Sequence, residues 1–78
     1  MMSYTFRIIL RPEPEGGYTV LVPSLGGCIT YGETVEEAHK MAEEAITLYL
    51  EDMKAEGEKI TDDKDLVDSK IQVHVAAA

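Results

Sequence analysis

The hydrophobic pattern of this 78-residue chain changes period at Thr34. Before Thr34, apolar and polar residues take turns at about every second position, as in strands with one buried face; from there to about Glu56, apolar residues recur about every 3.6 positions, as on one side of a helix. A short chain with that switch is bound to an α+β arrangement, a small sheet covered by a helix. Tyr4, Phe6, Ile8 and Leu10 alternate with Thr5, Arg7, Ile9 and Arg11 and predict a first strand. Pro12 and Pro14 are expected to stop it, since each removes a ladder donor. Glu15-Gly16-Gly17 predicts a hairpin turn and Tyr18 to Val22 a second strand. Pro23 to Gly27 is a second turn, and Cys28 to Tyr31 a short third strand closed by Gly32.

Thr34-Val35-Glu36-Glu37 fits a capping box, with the Thr34 hydroxyl accepting from the Glu37 amide while Glu37 reaches back. The glutamates also face the positive end of the helix dipole. The helix is expected to run to about Glu56, with Gly57 as the residue just past its end. Val35, Ala38, Ala42, Ala45, Ile46, Tyr49 and Met53 form its apolar stripe. Met41 and Leu48 lie roughly 100° from the centre of that stripe, and Ile9 and Leu21 point away from the helix if Phe6, Ile8 and Val20 point toward it. These four are surplus to a monomer's core and mark a partner surface. Residues 58–69 read as a solvated acidic loop. Ile71, Val73 and Val75 alternate with Gln72 and His74 and predict a fourth strand returning to the sheet. The expected architecture is therefore β-β-β-α-β: a three-stranded antiparallel meander, one helix packed on it, and a last strand back at the sheet. Residues 1–78 are expected to form one domain.

The net charge of −8 lies wholly in the second half of the chain. Residues 1–32 balance Arg7 and Arg11 against Glu13 and Glu15; residues 33–78 set five lysines against thirteen carboxylates. Such a surface repels phosphate and attracts basic partners, so no direct nucleic-acid contact is expected. With one cysteine no intrachain disulfide can form, which suits a reducing cytoplasm. No apolar run approaches the roughly 18–20 residues needed to span a bilayer, and the N-terminus lacks the pattern of a signal peptide.

Catalytic chemistry finds little support. Cys28 has no basic neighbour in sequence and reads as a packing cysteine. His39 and His74 lie on different elements without a second ligand at metal-binding spacing. Asp62, Asp63, Asp65 and Asp68 lack the central glycine and terminal glutamate of a calcium loop. None of the four expected strands contains a carboxylate, so a two-metal nuclease site has nothing to hold its ions. No cofactor or metal is expected, and the chain reads as a binding protein rather than an enzyme.

The stretch from Gly17-Tyr18 through Pro23-Ser24-Leu25-Gly26-Gly27-Cys28 to Gly32-Glu33-Thr34-Val35-Glu36-Glu37-Ala38 resembles the core motif of HicB-type antitoxins, G-Y-x-x-x-x-P-x-L-P-G-C-x-x-x-G-x-T-x-E-E-A. Glu44-Ala45-Ile46, Leu48-Tyr49-Leu50 and Glu56-Gly57-Glu58 match its usual continuation. The resemblance implies a partial RNase H-like fold without the nuclease site. It also implies a partner: HicA, a small basic toxin that cleaves messenger RNA and that HicB binds and neutralises. Gly26 stands where the family often has proline, which loosens that turn. The DNA-binding segment that many HicB proteins carry at the C-terminus is not expected here.

The motif residues read as turn formers and caps. The partner contacts expected are Glu37, Met41, Glu44, Leu48 and Asp52. A homodimer or higher homo-oligomer is also expected, because a chain this short buries only roughly 60–65% of its unfolded surface. The alternative reading is a stand-alone homo-oligomeric regulatory or scaffold module without a toxin partner.

Overall fold

A computed structural model describes residues 2–77. Three strands, β1 (Ile9–Pro12), β2 (Tyr18–Leu21) and β3 (Ile29–Gly32), precede a single helix, α1 (Val35–Ala55). The strands form one antiparallel sheet in the order β1-β2-β3, with Ile9 opposite Leu21 and Leu21 opposite Ile29. The three-stranded meander and its covering helix are as the sequence predicts.

Two turns set the register. Gly16 and Gly17 both take positive φ between β1 and β2. A side chain on Gly17 would collide with the ring of Tyr31, whose hydroxyl donates to the Gly16 carbonyl at 3.0 Å. The second turn is pulled inward. Leu25 and Cys28 are buried with Val22, and the Tyr49 hydroxyl of α1 donates to the Gly26 carbonyl at 2.9 Å. The turn expected to be loosened by Gly26 is thus tied to the helix.

Thr34 caps α1: its hydroxyl accepts from the Glu37 amide at 3.0 Å. The Glu37 carboxylate reaches back one residue beyond the cap and accepts from the Glu33 N–H at 3.2 Å. At the other end Gly57 has φ +73, and the amides of Gly57 and Glu58 donate to the carbonyls of Lys54 and Met53. These are the two bonds of a Schellman motif. The helix lies closest to β3, and the reason is Gly32: a Cβ there would sit 2.4 Å from the Ala38 nitrogen. Ala38 and Ala42 close against Val20, with Ile8, Leu10 and Tyr18 packed around them. A second cluster of Val22, Leu25 and Cys28 takes Phe6, Ile46, Tyr49, Leu50 and Met53 from the chain on either side.

Four expectations are corrected. The first strand starts at Ile9, not Tyr4, and includes Pro12. Its register explains both ends. Glu13 N–H donates to Gly17 O, so odd-numbered residues of β1 bond to β2 and even-numbered ones face the open edge. Pro12 therefore lacks a donor only where none is needed. Before Ile9 the chain loses its partner, because β2 turns away at Pro23. Its place is taken by residues 62–63.

That substitution is the second correction. The loop is not uniformly solvated: Asp63 is buried. Its N–H donates to the Thr5 carbonyl at 2.8 Å, while its carboxylate accepts from the Arg7 amide at 2.9 Å and the Ser24 hydroxyl at 2.6 Å. Asp62 accepts from the Thr5 amide at 2.9 Å. Two aspartates thus satisfy backbone donors that a strand would otherwise take up. The Ser24 hydroxyl first, then the Arg7 amide, hold the Asp63 carboxyl below the usual aspartate range.

Third, Val35 is exposed and no part of the packed stripe. It is the first residue of α1, and the close contact with the sheet begins at Glu37 and Ala38, against Gly32. Fourth, the segment 71–75 is not a strand of this sheet. Among the described residues it has no strand partner, and its apolar residues are bare.

Candidate protein-binding surface

The flank of α1 nearest the outer edge of β3 carries the residues singled out in the sequence. Glu37, Glu44, Leu48 and Asp52 are exposed and Met41 is half-buried. Glu37, Met41, Glu44 and Leu48 follow one another at helical spacing, so they line one side of the cylinder with Asp52 a turn beyond. Leu48, with 67% of its surface exposed, is the apolar centre of this flank.

Leu48 joins two hollows. Glu43, Glu44, Thr47 and Leu48 line the first. The second, of about 300 Å³, runs between helix and sheet edge and is lined by Gly27, Cys28, Ile29, Ala45, Leu48, Tyr49 and Asp52. Leu48 and Asp52 line the second hollow together, while Glu44 lines the first. Met41 is half-buried and lines neither hollow, and Glu37 is engaged at the helix start.

The sequence reading missed Ile29, which is 61% exposed on the far wall of that groove. Ile29 also ends a cross-strand apolar row, Ile9–Leu21–Ile29, on the sheet face turned away from α1. Ile9 and Leu21 were legible as outward-facing. Ile29 has the same parity within β3, but only the β2–β3 register puts it beside Leu21.

Burial pushes the Cys28 thiol up, away from thiolate, so it is a poor nucleophile at neutral pH. Among the described residues no three His, Cys, Asp or Glu side chains converge as a metal site. Nor is any helix among them long and apolar enough to cross a membrane.

The turn tied down by Tyr49, the Gly32 contact and the Thr34 cap all fall within one continuous motif. The sequence model described as "HicB_like antitoxin of bacterial toxin-antitoxin system" matches residues 6–76. The chain belongs to the HicB-like antitoxin family.

Relatives span a wide range of microbes. A UPF0150 protein of Thermoplasma acidophilum is 44% identical over 62 residues, covering 80% of this chain and 87% of that protein. One from Helicobacter pylori is 39% identical over 64 residues, covering 82% and 89% respectively. The protein named Antitoxin HicB 1 of Photorhabdus laumondii is 38% identical over 55 residues, which is 70% of this chain but 36% of that longer protein. Within a HicB-like chain the motif residues hold the turn, the close helix contact and the cap. The exposed flank of α1 is free of those duties apart from Glu37.

Proposed function

We propose that this HicB-like chain is an antitoxin that neutralises a small basic HicA-type mRNA-cleaving toxin by direct protein–protein contact, without a catalytic step of its own. The observation that carries this reading is the exposed Leu48 on α1, shared by two adjoining hollows, one lined by Glu44 and the other by Asp52, on the acidic half of the chain. Acidic rims steer a basic partner into encounter and set its orientation. Leu48 supplies an apolar anchor at the centre, which on full burial is worth about 1.5–3 kcal/mol. A toxin whose RNA-binding surface is basic would have that surface covered by this one. Because such a toxin acts on messenger RNA, the proposed place of action is the cytoplasm.

The test is capture of a HicA-type toxin from the same genome by the purified chain. The expected result is a stable complex that protects RNA from cleavage. Leu48→Ala should weaken it by about tenfold or more. Glu44→Lys with Asp52→Lys should slow association and flatten its salt dependence. All three positions are exposed, so circular dichroism should show unchanged folding. A toxin that cleaves RNA equally fast with and without the chain overturns the reading.

A further inference from the structure

The segment 71–75 and the outer edge of β1 are two stretches of extended chain without a strand partner among the described residues. Residues 71–75 alternate Ile71, Val73 and Val75 with Gln72 and His74, and those three apolar side chains are 87%, 69% and 85% exposed. No backbone group of the segment bonds to another of the described residues. Its presence outside the body makes the molecule long. The radius of gyration is 15.4 Å and the extents are 53 × 29 × 19 Å, where a compact chain of this length would have a radius near about 11–12 Å.

On the other side stands β1, an outer strand of the sheet. Its parity sends the N–H and C=O groups of Ile8 and Leu10 outward, away from β2. Beside this edge runs a groove of about 500 Å³ lined by Arg7, Ile8, Ile9, Leu10 and the base of the arm, Asp68 to Lys70. The Arg7–Asp68 ion pair at 3.0 Å pins that base to the mouth of the groove. The Nε donor of Arg7 is buried there without a partner. Ile8 and Leu10 are only half-buried, because α1 lies toward β3 and leaves the β1 side of the core thinly covered.

We propose that the groove along β1 receives residues 71–75 of a second copy of this chain, and that the two copies exchange arms about a two-fold axis. Strand addition would satisfy the open N–H and C=O groups of both segments. The apolar side of the arm would then extend the row of Ile8 and Leu10 and complete the core where α1 does not reach. Exchange rather than return within one chain follows from the arm's course. It leaves the groove at Lys70 and carries its apolar residues out to solvent, as a segment exchanged between protomers must. The exchanged dimer leaves the α1 flank around Leu48 uncovered. It therefore adds to the antitoxin reading without competing for its surface.

The test uses the chain alone, so its outcome is separate from toxin binding. Sedimentation equilibrium of the full chain should give twice the 8.6 kDa of one copy at micromolar concentration. In that dimer, amide exchange should be slow at Leu10 and Val73. The triple variant Ile71→Asn, Val73→Asn, Val75→Asn adds no charge. It should raise the dimer dissociation constant by at least about 100-fold, with the helical circular dichroism of α1 unchanged. Three results overturn the proposal: a wild-type chain that stays at 8.6 kDa, a triple variant that dimerises as tightly as wild type, or a triple variant that loses the helix. The last would mean that the arm belongs to its own body's core.

Discussion

Strand β2 and the segment 71–75 are written in nearly the same code, yet one is the centre of the protein and the other lies outside it. Both place β-branched or aromatic residues at every second position. In β2 that alternation buries Val20 completely, with a partner strand on each side and Ala38 and Ala42 above. In the segment it leaves Val73 bare. Alternation thus specifies a side that wants covering, but not whose sheet supplies the cover. What separates the two is connection. β2 is joined to both neighbours by tight turns that fix its register. The segment follows a loop whose own hydrogen bonds, through Asp62 and Asp63, end before it begins.

Substitutions test the contrast between β2 and the segment 71–75. The largest effect is expected at Gly32, which lets the body close around β2. Gly32→Ala forces the backbone of β3 away from Ala38 and should cost about 3 kcal/mol in urea denaturation. Val20→Ala should cost about 2 kcal/mol, through lost burial and the cavity left between sheet and helix. Thr34→Ala removes the cap and should cost about 1 kcal/mol in the same measurement. No loss there would mean that α1 is held by packing alone.

An acid titration examines the loop between the two regions. Asp63 has its carboxyl depressed when folded, so the stability it contributes is present above the ordinary aspartate value. That stability is lost as pH falls through that value toward the folded one. Thermal melts of wild type should therefore weaken below about pH 4, and part of that dependence should vanish in Asp63→Asn. An unchanged acid profile in the variant would remove Asp63 from the account. The smallest effect is expected at Val73. At dilutions where the chain is monomeric, Val73→Ala should change unfolding free energy by less than about 0.5 kcal/mol. A loss comparable to that at Val20 would erase the contrast with which these predictions began.

Much of the body was legible in the residues. Glycines at turns, a threonine three residues before a glutamate and a stripe of alanines are local signals. Each acts on backbone within a few positions. The acidic flank of α1 was legible for the same reason, since helical spacing alone puts Glu44, Leu48 and Asp52 near one another. Ile29 was not, because its place beside Leu21 depends on the register of β3 against β2. Asp62 and Asp63 looked like solvent-facing acids, and only a partner some 56 residues away in sequence made them structural. Pro12 looked like a stop, and only the outward parity of β1 at that position made it harmless.

The sequence by itself determined the order of strands and helix, both ends of that helix and the placement of negative charge in the second half. All of these arise from interactions between near neighbours or from composition. Tertiary structure alone decided which acids are buried, which edge of the sheet stays open and that the last alternating segment finds no place in its own sheet. Those outcomes turn on contacts between distant residues, where the free energy of closing a long loop is weighed against the surface that closure would cover.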